Sequence, residues 1–550
     1  MTLDPGNPPR LDDEHVARYT EAGDWGEETL IEVVEPVLKA NPEKRIVGPR
    51  RTRTFAELWD DVRRVSVGLQ ELGIGAGDVV SYQLPNWTTT NVLHLAAARV
   101  GAVCNPIIPI YRESEVGYIL QDAGTDLLVV PNRYDGFDYP SMVSELVGDC
   151  PALDHVVVVG SEEREVHDSV ETTPFYELRK ADPGGFVEPS LDPNDVHALL
   201  YTSGTTADPK GVLHTYNTLL CEQYNTIDLL ALSTETTIFM PSPVTHVTGM
   251  LYALEMPFVE GMDLVLMADW DADRAVELVD RYDCNVTVGA TPFLRGIYES
   301  APDDWQNPLR VFGCGGADIP PELVRDATEK LGCTVQRIYG STEFPTATWP
   351  PLDAPIEKLA TTDGPAAPGA HLKVVDIETG EERPRGERGE LWGHSPELMV
   401  GYLGDDLNDD AFEGEWFETG DLAVMDEEGY IEITGRKKDI IIRGGENIPV
   451  KDVEDRLFEH PAVEEVAVVA MPDPEMQEKG CAYVKVREGH EFTFEDMIDY
   501  LDEQGIAKQK YPERLELVEA FPMTASGKIQ KNELREDIAK KLGREPVQRD

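Results

Sequence analysis

Positive charge is what this chain lacks most. Its 550 residues hold 48 Lys plus Arg against 104 Asp plus Glu, a net charge of −56. That balance excludes a basic footprint for nucleic acid or for an anionic membrane surface. Lysine is the scarcer base, 18 against 30 arginines, and the acidic residues run through the whole sequence instead of forming a tail. Concentrated salt screens self-repulsion of this size. Two readings follow, a halophilic protein adapted to a salty cytoplasm or an ordinary acidic one, and loss of folding on dialysis to low salt separates them.

Cysteine is also sparse. Cys104, Cys150, Cys221, Cys284, Cys314, Cys333 and Cys481 are odd in number, widely spaced and without a C-x-x-C pair. This excludes a disulfide scaffold or zinc ribbon and fits reduced, buried thiols. No run approaches 18 apolar residues, so no bilayer span is expected. The start, MTLDPGNPPRLDDEH, has no basic region followed by an apolar stretch, so no secretory signal is read there and the expected location is cytoplasmic. Fixed-period repeats and low-complexity segments are missing too.

What remains is a large folding chain. Hydrophobic residues make up 41% and charged residues 28%, enough for sizeable cores, and the length calls for several domains or subdomains. Short apolar runs (78–83, 102–110, 126–131, 155–160, 197–202, 262–267 and 285–289) alternate with amphipathic stretches such as 54–72 and 272–282. That alternation predicts an α/β fold with largely parallel sheets. Pro and Gly cluster at 350–390, ahead of a β-rich passage ending near Tyr430. After about residue 436 the pattern changes to strands at 440–443, 463–471, 481–486 and 514–519 with helices at 450–459 and 493–503. This tail suits a small α+β domain of its own.

One stretch carries chemistry by itself. Tyr201-Thr-Ser-Gly-Thr-Thr-Ala-Asp-Pro-Lys-Gly211 follows an apolar run directly. A strand that ends in hydroxyls, glycines and one lysine can wrap a polyphosphate. Ser203, Thr205 and Thr206 offer donors and Lys210 offers charge. It is not a Walker A loop, because G-x-x-x-x-G-K-[ST] is not satisfied.

With this stretch the sequence resembles the acyl-adenylate-forming (AMP-binding) superfamily of acyl-CoA synthetases, peptide-synthetase adenylation domains and luciferases. Further motifs stand in the order the resemblance implies: Gly313-Cys-Gly-Gly-Ala317, Tyr339-Gly-Ser-Thr-Glu343, Trp416-Phe-Glu-Thr-Gly-Asp421, Gly435-Arg-Lys-Lys-Asp439, Gly444-Gly-Glu-Asn447 and Pro522-Met-Thr-Ala-Ser-Gly-Lys528. The resemblance implies a large N-terminal domain of stacked α/β subdomains plus a β-rich subdomain, and a small mobile α+β C-terminal domain. The boundaries it gives are 1–30 variable, 31–435 adenylation, 436–438 hinge and 439–550 small domain. It also implies an acid–thiol ligase that makes acyl-AMP from ATP and then acyl-CoA.

Residue by residue, the resemblance assigns ATP or AMP binding to Thr202, Ser203, Gly204, Thr205, Thr206, Lys210, Gly315, Gly316, Ala317, Tyr339, Gly340, Ser341, Thr342, Asp421, Arg436 and Lys528. Tyr339 offers a face for adenine, Thr342 a hydroxyl for the α-phosphate, and Glu343 a hard ligand for Mg2+. Lys528 is the catalytic cation expected between carboxylate and α-phosphate. His246 is the expected gate between nucleotide and acyl sites, Lys438 the hinge, and Gly444, Gly445 and Glu446 the approach for CoA.

Val247 after His246 supplies no counter-ion for an amino acid. Residues 435–454 look most like ligases of medium-chain, alicyclic and aryl acids, with a pocket expected from 247–254 and near Gly313 and Phe344. The expected partners are ATP, CoA and a small carboxylic acid, with no nucleic acid and no stable membrane insertion, in a monomer or homodimer. A stand-alone enzyme loading an acyl carrier protein is the alternative.

Overall fold

The computed structural model describes every residue except 1–2, 4–5, 7, 161–163, 203–208, 317–318, 445, 524–528 and 548–550, and side chains except those and 405, 446 and 447. The described chain divides into two compact units. The first holds residues 3–202, 209–371 and 394–412, and the second holds 372–393 and 413–547.

Two sheets organise the first unit. One runs Thr334–Arg337, Val311–Cys314, Val286–Gly289, Thr237–Met240, Asp263–Leu266, Arg45–Val47 and Thr52–Thr54, parallel but for the last strand. The other runs Gly401–Tyr402, Gly211–Thr215, Val196–Tyr201, Val103–Pro106, Val79–Tyr82, Leu127–Pro131, His155–Val159 and Glu171–Pro174. Each apolar run expected from the sequence coincides with one of these strands to within a few residues. Interior strands such as Val79–Tyr82 and Leu127–Pro131 are buried along their whole length, as strands covered on both faces must be.

Helices between the strands follow their capping signals. Phe55–Glu71 starts at Thr54, whose hydroxyl accepts from Glu57 N at 3.2 Å while the Glu57 carboxylate accepts from Thr54 N at 2.9 Å. At the carboxyl ends of the strands, Asn86 stitches the two sheets. Its Nδ2 donates to Ser242 O and Met267 O, each at 2.8 Å, and its Oδ1 accepts from Val244 N at 2.9 Å. Open α/β sheets bind ligands at this end.

The second unit is antiparallel in most of its pairings. Arg388–His394, Trp416–Met425 and Ile431–Arg436 form consecutive pairs. A second sheet runs Glu446–Ile448, Ile441–Arg443, Gln477–Val486 and Val463–Asp473, with Arg514–Leu517 parallel to Gln477–Val486. The β-rich passage and the tail both fall in this unit. Asp452 links the two parts: it accepts Arg388 from the β-rich passage at 2.7 Å and Lys510 at 2.6 Å. All seven cysteines are free and buried, as expected.

Candidate functional site

The strands Val196–Tyr201 and Gly211–Thr215, which flank the Ser/Thr/Gly stretch in sequence, pair antiparallel. Thr202 N donates to Lys210 O at 3.0 Å, extending that pairing. Ser203, Gly204, Thr205 and Thr206 lie outside the described residues. Lys210 Nζ stands 5.0 Å from the centre of the Tyr402 ring. The Tyr402 hydroxyl in turn donates to Glu343 Oε1 at 2.8 Å. Burial and then the Glu343 charge push the phenol far above its ordinary range, so it stays a donor. A cation, a phenol and a carboxylate therefore stand in line.

Thr342 and Glu343 sit on a knuckle past the carboxyl end of Thr334–Arg337. Tyr339 N donates to Thr348 Oγ1 at 3.1 Å, and Thr348 N donates back to Tyr339 O at 3.0 Å. A Cβ on Gly340 would lie 2.1 Å from Pro345 O, so no other residue fits without moving the backbone. Ser341 N donates to Phe344 O at 2.8 Å and Ser341 Oγ accepts from Phe344 N at 3.1 Å. Met399 N donates to Glu343 O and His214 Nε2 to Thr342 O, both at 2.8 Å. Burial holds His214 down at about 4, so its ring stays neutral and Nε2 carries the proton. The backbone is pinned at every step while the side chains of Thr342 and Glu343 remain half-buried.

The neighbouring strand Val311–Cys314 ends in Gly315 and Gly316. A Cβ on Gly315 would come within 2.8 Å of Ile338 O, and Gly316 has φ +79°; Ala317 lies outside the described residues. His246 follows Thr237–Met240 in the same sheet. Its Nδ1 accepts from Thr248 N at 3.4 Å and its carbonyl from Met250 N at 2.8 Å, where a π-helical turn, Met250–Glu255, begins. Such turns often mark functional positions. Tyr339, Gly315 and His246 thus all follow the carboxyl ends of strands in one sheet.

In the second unit, Asp421 faces Arg436 across Trp416–Met425 and Ile431–Arg436, with Arg436 Nε 2.9 Å from Asp421 Oδ1. Thr419 aims the carboxylate: its Oγ1 accepts from Asp421 N at 3.1 Å and donates to Leu391 O at 2.6 Å. On the turn Lys437–Asp439, Lys437 donates to Glu390 at 2.9 Å and Asp439 pairs with Arg535 at 3.0 Å. Burial and then Arg436 bring Lys438, between them, down to about 8. Gly444 has φ +59°, and its N–H donates to Met476 O at 2.8 Å. Gly445, the Glu446 side chain and Lys528 lie outside the described residues. Met523 and Ile529, flanking the Lys528 segment, pair antiparallel.

Tyr402, His214 and Asn86 escaped the sequence reading. Only Tyr402 carries a local signal, an aromatic between glycines in Val400-Gly-Tyr-Leu-Gly404.

Comparison with known proteins agrees with this geometry. The AMP-binding enzyme profile matches residues 34–403, and that of the AMP-binding enzyme C-terminal domain matches 452–528. A medium-chain fatty-acid–CoA ligase of Escherichia coli (strain K12) is 33% identical over 534 residues, covering 96% of this chain and 93% of the relative. A 2,3-dihydroxybenzoate-AMP ligase of Bacillus subtilis (strain 168) is 30% identical over 544 residues, covering 96% and 97%. The crystal structure of ATP-bound MatB from Rhodopseudomonas palustris superposes with a TM-score of 0.83 at 27% identity, covering 93% of this chain and 99% of that one. The chain belongs to the AMP-binding enzyme family and is an adenylate-forming acid ligase, an enzyme of the AMP-forming acid–thiol class.

Proposed function

We propose that this enzyme is an ATP-dependent acyl-CoA synthetase acting on a medium-chain, alicyclic or aryl carboxylic acid. The observation that carries the reading is the line Lys210–Tyr402–Glu343 beside Thr342, set where the strand pair Val196–Tyr201 and Gly211–Thr215 and the knuckle after Thr334–Arg337 converge. Two anions must meet in the first step, so fixed positive charge and positioning dominate the barrier. A carboxylate oxygen of the acid attacks the α-phosphorus of ATP, the bond from that phosphorus to the bridging oxygen breaks, and pyrophosphate leaves with its electron pair. In the second step the CoA sulfur attacks the acyl carbonyl, AMP departs, and the thiol proton goes to solvent.

Each group has a part in this scheme. Lys210 and Lys528 supply charge to the phosphates and carboxylate, and the Thr342 hydroxyl donates to the α-phosphate. Asp421, with Arg436 beside it, accepts the ribose hydroxyls. Glu343 Oε1 takes one hydrogen bond from Tyr402, which leaves carboxylate lone pairs able to bind the Mg2+ that accompanies ATP. His246 separates the acyl from the nucleotide side. Lys438 is the pivot of a small domain spanning 439–550 that swings residues 444–446 toward CoA once adenylation is complete.

A panel from acetate to decanoate, with benzoate and cyclohexanecarboxylate, assayed for AMP release in concentrated KCl, tests the reading. Medium-chain or cyclic acids with free CoA should be turned over. Release only with an acyl carrier protein would instead favour the carrier-loading alternative. Lys528→Ala should lower pyrophosphate exchange by at least a hundredfold yet spare thioester formation from supplied acyl-adenylate; equal loss in both steps would refute its role.

A further inference from the structure

One buried carboxyl in the first unit touches both sides of the proposed site without belonging to any motif. Glu222 lies in the helix Tyr216–Leu229 and is fully buried. Its Oε1 accepts three hydroxyls: Tyr252 at 2.8 Å, Thr346 at 2.8 Å and Thr226 at 3.0 Å. Its Oε2 has no hydrogen-bond partner among the described residues, so the side chain spends its bonding capacity on that one cluster. Tyr252 is on the π-helical turn that begins just past His246, and its hydroxyl also lies 3.4 Å from Thr346 Oγ1. Thr346 is three residues beyond Glu343, and its N–H donates to a second buried carboxyl, Glu397, at 2.9 Å. Two residues beyond Glu397, Met399 N holds the Glu343 carbonyl.

We propose that Glu222 is a positioning residue for acid activation, a clamp that fixes the turn after His246 to the loop carrying Thr342 and Glu343. The gating histidine and the phosphate-side groups ride on separate chain segments. Near-attack geometry tolerates errors of roughly 1 Å or less, and the Oε1 cluster is where these two segments are tied. The inference rests on the acid-activating reading given above. Other titratable groups around Glu222 are Glu397, Glu255 and Tyr252, and no lysine or arginine enters the Oε1 cluster itself. Burial, offset in part by the three hydroxyls and reinforced by Glu255, brings Glu222 up to about 7.

The test compares Glu222→Ala, Glu222→Gln, Tyr252→Phe and Thr346→Val in the full-length enzyme. Acid-dependent ATP–pyrophosphate exchange is read with the best acid of the panel, and hydrogen–deuterium exchange over 250–255 and 341–346. Glu222→Ala should lose at least tenfold in kcat and raise the KM for the acid. Glu222→Gln, whose amide oxygen can accept the same hydroxyls, should recover at least a third of wild-type kcat and lose any wild-type pH limb near 7. Both segments should exchange faster in Glu222→Ala. A folded Glu222→Ala enzyme with wild-type kcat and KM, or a Gln variant as damaged as the Ala variant, overturns the proposal. Were wild type itself silent with every acid, the activating reading would fall, and the clamp would still be judged by deuterium exchange: joint loosening supports it, and loosening of one segment or neither rejects it. If Glu222→Ala does not fold, Tyr252→Phe and Thr346→Val decide. Each should cost severalfold in kcat with the double variant no worse than the poorer single one, and additive losses would overturn the clamp.

Discussion

Glu222 and Glu255 are equally buried, yet the protein handles their charge in opposite ways. Glu255 ends the π-helical turn. Its Oε1 accepts His94 Nε2 and His197 Nε2, each at 2.9 Å, and its Oε2 accepts Gln223 Nε2 at 2.6 Å. Burial pushes the Glu255 carboxyl up, but the bonds from His197 and His94 outweigh it and hold the group at about 2. Around Glu222 burial wins over three hydroxyls, and Glu397 is driven up as well, by burial and then by the Glu222 charge. The donors make the difference. Imidazole and amide N–H groups locked by packing cannot turn away, whereas a hydroxyl proton rotates to suit. His94 has its other nitrogen on the Tyr82 hydroxyl at 2.9 Å, and the His197 ring stacks on Tyr216 at 4.5 Å. One pocket holds an anion, and the other favours the protonated acid.

The largest effect should come from breaking the anion pocket. Glu255→Leu strands the N–H groups of His94, His197 and Gln223 in the core, at a cost of about 3–5 kcal/mol. Glu222→Leu frees hydroxyls that can re-pair locally and should cost about half of that or less. Urea unfolding of both variants in concentrated KCl measures the difference, and equal losses would erase the contrast between the pockets.

The next effect is the acid limb. With the folded Glu255 at about 2 and an unfolded value near 4.5, the unfolded chain binds the extra proton between those pH values. The stability this group adds is therefore complete above about pH 4.5 and lost as pH falls toward 2. Its size is on the order of 3 kcal/mol. His94, kept below its ordinary value by burial, adds to the same acid weakness. Against Glu255→Gln, wild type should hold a constant stability advantage above about pH 5 that shrinks below 4.5, followed by calorimetry or urea titration.

Neither pocket could be read from the sequence, although the sheets and loops around them could. Runs such as 78–83 and 126–131 announced their strands because an interior parallel strand is apolar on both faces. The Thr342–Glu343 knuckle and Asp421, in the strand Trp416–Met425, were legible through the family resemblance that their motifs carry. Glu222 and Gln223 stand side by side on a helix, where two polar residues ordinarily read as a solvated face, yet both are fully buried. What reverses the reading is Tyr252, Thr346 and Glu255, which lie 30, 124 and 32 residues away in sequence. Period and composition carry no information at that separation. Tyr402 has a local signal in its flanking glycines, but nothing in the sequence ties it to Glu343, 59 residues earlier.

The smallest effect is the most diagnostic of the proton pocket. Glu222 folded sits at about 7 against an unfolded value near 4.5, so here the folded chain holds the extra proton. The pH-dependent part of its burial cost is absent below about pH 4.5 and grows as pH rises toward 7. Glu222→Gln removes the titration and keeps an oxygen to accept the hydroxyls. Relative to wild type, the variant should gain stability as pH climbs from about 4.5 to 7 and level off above, by less than the roughly 3 kcal/mol that the same span gives Glu255, because Glu397 titrates with Glu222. The sign is opposite to that of Glu255→Gln in acid. Two neighbouring glutamates would then give difference curves that bend in opposite directions, and a flat curve for Glu222→Gln would mean that its pocket holds a permanent charge after all.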